Sequence, residues 1–169
     1  DRITGKLDLG GSTIPANYIL PPLLARFWQT YPEVIMDLHI ADTEDIVSRV
    51  RDNALMLGVV GGHFEAPDLH FEPIATDSLV LVMTPALKER YAHLGAEELL
   101  RSLPWVMREE GSGTRMAMAA SLAGFSIDVN SLRTVMMVRN AGAMARWLSA
   151  GMGAAIPSAI TVGPELRTG

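Results

Sequence analysis

The 169 residues include no cysteine and only two lysines, Lys6 and Lys88. The missing cysteine excludes a disulfide framework, a thiolate metal site and a thiol nucleophile, and it fits a reducing cytoplasm. Lys and Arg together number 14 against 19 Asp and Glu, a formal charge of −5, and the basic residues are scattered. That balance argues against a nucleic-acid-binding face on this stretch, since such faces concentrate Lys and Arg. No apolar run approaches the roughly 20 residues that cross a bilayer. The opening DRITGKLDLG has no signal-peptide pattern and runs almost directly into a strand, as a domain cut from a longer protein would.

Catalytic signatures are also missing. There is no GxxxxGK[ST] loop, no HExxH and no G-x-S-x-G elbow. His39, His63, His70 and His93 are not spaced as metal ligands, and neither lysine lies at a strand-to-helix junction. Glu109 and Glu110 are adjacent, so on an extended backbone their side chains diverge rather than pair for acid/base work. The chain reads as a non-enzyme without metal or cofactor. The methionines, Met116, Met118, Met136, Met137, Met144 and Met152 among them, read as core filler.

What is present is apolar patterning: 49% of residues are hydrophobic, enough for one substantial core or two small lobes. Leu7 and Leu9 alternate with polar residues, as do Val34, Met36, Leu38 and Ile40, which is the period of strands. Leu55 to Val60 is continuously apolar and reads as a strand covered on both faces. After Pro21 and Pro22, Leu23, Leu24, Phe27, Trp28 and Tyr31 form one helical stripe that Pro32 stops. A second helix, ADTEDIVSRVRD, starts with Asp42 or Thr43 as cap and turns Ile46, Val47 and Val50 inward. The opening third is therefore β-α-β-α-β, a parallel unit with right-handed crossovers.

From Leu69 the run LHFEPIATDSLVLVMTP reads as strand-rich and suited to crossing into another lobe. Then follow a helix AEELLRS, a strand WVMRE, a helix from Ser112 to about Phe125, a strand LRTVMMV, and a helix capped by Asn140 and ended at Gly151. GMGAAIPSAI would return the chain to the first lobe. The expectation is an α/β fold of two lobes sharing two crossings: residues 1–74 with 155–169, and residues 75–154.

Ligands of open α/β sheets sit beyond the carboxyl ends of strands, where helices begin. Three such junctions are small and polar: Gly10-Gly11-Ser12-Thr13, Gly111-Ser112-Gly113-Thr114, and Asn140-Ala141-Gly142. Helix starts attract anions through free N–H groups and the helix dipole. At each junction Ser or Thr either contacts a ligand or simply caps the helix. Arg115 either clamps a carboxylate or pairs with Glu109 or Glu110.

In order and spacing, GKLDLGGSTIPANYILPPLLARFWQTYPEV, DLHIADTEDIVSRVRDNALMLGVVGG, LHFEPIATDSLVLVMTP and GMGAAIPSAI resemble the effector-binding domain of LysR-type transcriptional regulators, over nearly the whole chain. The resemblance implies a type 2 periplasmic-binding-protein-like fold, two Rossmann-like lobes joined by two crossover strands with a cleft for a small effector. It implies a preceding winged helix-turn-helix domain, absent from this chain, as the only route to DNA. It implies effector contacts from Ser12, Thr13, Thr43, Val60 and Gly61 on one lobe, and from Gly111, Ser112, Gly113, Thr114, Arg115 and Asn140 on the other. GSGTR looks like members that recognise anionic metabolites, including regulators of sulfur assimilation and carbon fixation.

Met56 departs from the family, which commonly has Asp there, and the chain stops at Gly169, short of a strand and helix that complete the first lobe. Relatives form homodimers or homotetramers, packing the helix near Leu20–Tyr31 against that near Ala141–Gly151 of a partner. Trp28 and Trp147 would contribute there, or be buried in the monomer. The expected partners are a small anionic effector and a second copy, with no membrane. The same fold would also serve a stand-alone solute-binding protein.

Overall fold

A computed structural model describes residues 2–62 and 64–168; His63 lies outside them. The chain forms two compact units, Asp1–Ile74 and Ala75–Gly169.

In the first unit β1 (Gly5–Ser12) is followed by a helix α1 (Leu20–Thr30), β2 (Val34–Ala41), α2 (Thr43–Arg51) and β3 (Leu57–Val59). All pairings are parallel, in the order β2-β1-β3, with Gly5 beside Val34 and Leu9 beside Leu57. Central β1 buries its far end, where Leu9 is fully enclosed. The β-α-β-α-β reading holds, with Asp42 as the α2 cap: its side chain accepts the Asp45 N–H at 2.9 Å.

Gly10 and Gly11, read as part of a ligand-facing junction, lie inside β1 and are paired to both neighbouring strands. They serve packing instead. A Cβ on Gly10 would stand 2.6 Å from a Leu55 methyl, and one on Gly11 would stand 2.8 Å from the Ala16 Cβ. The small residues thus let α2 close on one face of β1 and the entry to α1 on the other.

β3 also departs from expectation. It is short, lies at the sheet edge and leaves Met56 and Leu57 exposed, so among the described residues it is not covered on both faces. Apolar continuity reports hydrophobicity but not position in the sheet.

The first helix begins before its prolines. Pro15–Ile19 forms a π-helical turn closed by the Leu20 N–H on the Pro15 carbonyl, and α1 continues from it. Pro21 and Pro22 have no N–H to close the preceding turn, and a widened turn accommodates that break. The stripe on α1 is only partly covered: Leu24, Phe27 and Tyr31 are half-buried, while Leu23 and Trp28 face solvent.

The second unit contains α3 (Pro85–Arg90), α4 (Ala96–Ser102), β4 (Trp105–Met107), α5 (Gly113–Ala123), a 3₁₀ turn at Val129–Ser131, β5 (Thr134–Met137), α6 (Ala141–Ser149) and α7 (Ala159–Thr168). β4 and β5 pair in parallel. Both faces of β4 are buried, and its period-two alternation feeds two cores. Trp105 and Met107 join Leu103, Met118 and Leu122, while Val106 joins Val138, Met144 and Leu148.

The run 69–85, expected to be strand-rich, forms only isolated bridges among the described residues, Leu79 to Ser158 and Val82 to Ala155, before α3 begins at Pro85. Residues 155–169, expected with the first lobe, fall in the second unit. Val82 and Ala155 exchange two backbone hydrogen bonds of 2.9 and 3.0 Å there, and α7 lies beside α6.

Candidate functional site

In the first unit, three of the expected contacts converge on one peptide segment. Ser12 ends β1 and is buried; its Oγ accepts the Gly61 N–H at 3.0 Å. Thr43, at the start of α2, donates its hydroxyl to the Gly61 carbonyl at 3.3 Å. Two elements therefore hold the loop after β3 by both polar groups of Gly61.

The proton accounting separates the two hydroxyls. Ser12 accepts from Gly61 and keeps its own proton for donation, whereas Thr43 has committed its proton and is 1% exposed. Thr43 is placed as a latch. Thr13 is half-buried at the helix entry, where its carbonyl accepts from Asn17 Nδ2 at 2.6 Å. Val60 is half-buried beside Gly61.

In the second unit the site is built where β4 ends. The strand expected through Glu109 stops at Met107. Arg108 and Glu109 then place both side chains in the interior, 5% and 7% exposed, in a two-point ion pair: Nε to Oε2 and one terminal nitrogen to Oε1, each 2.9 Å. Successive side chains of a regular strand point to opposite faces, so this pairing is incompatible with continuing β4. Burial pushes the Glu109 carboxyl up, but the hydrogen bonds from Arg108 and its own N–H, with the charges of Arg108 and Arg139, hold it below the usual glutamate range.

After this pair the chain turns at Glu110 and half-buried Gly111, with the Ser112 N–H on the Glu109 carbonyl at 3.1 Å. Ser112, buried, caps α5: its Oγ accepts the Arg115 N–H at 3.4 Å. Gly113 is buried at the first helical position, and Thr114 is half-buried. Among the described residues, the Thr114 hydroxyl and the N–H groups of Gly113 and Thr114 have no hydrogen-bond partner; a helix start leaves such donors open.

Arg115 pairs with neither Glu109 nor Glu110. Its guanidinium donates to the Arg108 carbonyl at 3.0 Å and to Asn130 Oδ1 at 2.9 Å, bracing the turn from within its own unit. Asn140 caps α6 by accepting the Ala143 N–H at 3.2 Å. It stands next to the turn's strand, because the Val138 N–H bonds the Met107 carbonyl at 2.7 Å.

Sequence reasoning missed Arg108 and weighed Glu109 as one of two alternative partners for Arg115. The available signal was an Arg–Glu step directly after WVM, in a strand whose both faces are apolar, where solvent is least accessible. Among the described residues no cluster of His, Asp and Glu is arranged to hold a metal ion, and no helix is long and apolar enough to cross a membrane.

The family described as "LysR substrate binding domain" matches residues 1–169. The chain is 34% identical over 165 residues to part of a protein named "Phosphonates import ATP-binding protein PhnC" of Anaeromyxobacter dehalogenans, covering 98% of this chain and 33% of that one. It is 32% identical over 137 residues to the "HTH-type transcriptional regulator CysL" of Bacillus subtilis, 79% of this chain and 44% of that one. The chain thus spans less than half the length of these two relatives. Among solved structures, the CcmR regulatory domain of Synechocystis in complex with 2-PG superposes with a TM-score of 0.78 at 28% identity, covering 94% of this chain and 74% of that one.

Proposed function

Because the chain belongs to the LysR substrate-binding domain family, we propose that it is the effector-sensing part of a transcriptional regulator and binds a small anionic metabolite. DNA is then engaged through a domain outside this chain, and the protein works in the cytoplasm without catalysing a reaction. The observation that carries the reading is the Ser112–Thr114 turn. It combines a capped helix start with two backbone N–H groups and a threonine hydroxyl that are open among the described residues, a donor set suited to an oxyanion. The complex of the CcmR domain with 2-PG supports the same class of ligand. In the first unit, Ser12 is the donor and Thr43 and Gly61 its support; Thr13 and Val60 flank them.

Thr114→Val tests the reading because it keeps the shape and removes the donor. With inorganic phosphate as titrant, calorimetry should show affinity falling about 10-fold or more, as expected for a hydrogen bond to a charged group. Unfolding should be nearly unchanged, since that hydroxyl has no partner among the described residues. Equal affinity in the variant removes Thr114 from the site.

A second part of the proposal is self-association through α1 and α6. Trp28 is 54% exposed and Trp147 39% exposed, so neither is consumed by the monomer's core, and large exposed apolar side chains mark interaction surfaces. Sedimentation should show a dimer, weakened by Trp28→Ser; a monomer at high micromolar concentration would rule the interface out.

A further inference from the structure

The Arg108–Glu109 pair is used neither by the proposed contacts nor by the packing of the two cores. It is the one side-chain ion pair with both partners buried among those found in the described residues; the others are at the surface. A buried pair of this kind contributes little net stability compared with apolar side chains of the same volume. Its location suggests a different role.

Each member of the pair also anchors the turn through its backbone. The Arg108 carbonyl accepts from the Arg115 guanidinium at 3.0 Å, and the Glu109 carbonyl accepts the Ser112 N–H at 3.1 Å. Arg115 in turn reaches Asn130, whose N–H is held by Asp128 Oδ1 at 2.9 Å. The side-chain bridge holds residues 108 and 109 to one side where β4 ends at Met107, and the chain then enters α5, whose Gly113 and Thr114 N–H groups have no hydrogen-bond partner among the described residues.

We infer that Arg108 and Glu109 are positioning residues, a two-point bridge between sequence neighbours that ends the strand and sets the orientation of the Ser112–Thr114 turn. This rests on the reading of that turn as the anion site for its functional meaning, but the geometric claim can be tested without ligand.

The experiment is amide hydrogen exchange by NMR on the whole chain, comparing wild type with R108M/E109L and with E109Q. Removing both charges together should leave the unfolding midpoint close to wild type. The Ser112 and Arg115 amides should lose protection about tenfold or more, while Val106, bonded to the Ala154 carbonyl, keeps its own, because local opening is separable from global unfolding. A merely structural pair would lower protection throughout the unit. If the double variant does not fold, E109Q decides: in wild type the turn should lose protection as acid protonates Glu109, and in E109Q that acid response should vanish. Unchanged protection at Ser112 and Arg115, or an acid response identical in both proteins, overturns the inference. Titration with inorganic phosphate separates the two ideas. Failure of wild type to bind counts against the site, whereas turn protection that depends on the pair still establishes its positioning role.

Discussion

Glu109→Leu is expected to destabilise the second unit by about 3–5 kcal/mol, because it leaves the Arg108 guanidinium buried without its carboxylate. The leucine itself is not the cause, since its volume suits an apolar site. The cost is that of a charge 5% exposed and deprived of two 2.9 Å hydrogen bonds. Urea unfolding followed by tryptophan fluorescence measures it, with Trp105, buried in the core of the same unit, as the reporter. A loss under about 1 kcal/mol would mean that solvent or the other groups around Arg108 already compensate its charge.

The pH dependence has a definite sign. Glu109 is held below the ordinary glutamate range in the folded chain. Its contribution is therefore complete above the unfolded-state value and is lost as pH falls through the folded value. Wild type should lose stability across that acid window, and Glu109→Leu should show a flatter profile there. Identical profiles would exclude Glu109 as the titrating group.

Trp105→Ala should cost about 3–5 kcal/mol, the range for deleting a large buried aromatic. The indole is fully buried against Met107, Met118 and Leu122, and its Nε1–H donates to the Leu100 carbonyl at 2.9 Å. Alanine loses the transfer energy, opens a cavity and strands that carbonyl near the end of α4. Trp105→Phe separates these terms: it keeps most of the volume and loses the hydrogen bond, so it should retain more than half of the stability lost by alanine. Equal costs for the two variants would assign the effect to the hydrogen bond instead of the packing.

Much of this architecture is legible in the residue order, for reasons that are local. Asp42, Ser112 and Asn140 cap their helices through contacts three residues away, and such contacts need no knowledge of the rest of the fold. The β-α-β-α-β order of the first unit follows from a change of period. The gathering of Ser12, Thr43 and Gly61 followed only from the family resemblance, because the residues are distant in sequence.

What could not be read locally depends on neighbours in space. β3 carries an apolar run suited to a central strand yet sits at an edge. Residues 79–82 pair with 155–158 in isolated bridges too short for alternation to reveal. The Arg115 guanidinium, a plausible clamp on spacing alone, is occupied by Arg108 and Asn130. The Arg108–Glu109 bridge lies just past the end of β4, where the divergence of consecutive strand side chains no longer applies, so a periodic reading was bound to pass over it.

The strand register also bears on how the first unit assembles in time. Gly5 meets Val34 and Leu9 meets Leu57, loops of about 30 and 50 residues whose closure entropies differ by only about 0.4 kcal/mol. Loop length therefore gives β2 almost no kinetic advantage over β3 in reaching the first strand. Ile46 instead couples the two pairings through packing. Its side chain fills the space where both Gly10 and Gly58 lack a Cβ, so docking α2 onto β1 prepares the surface on which β3 lands.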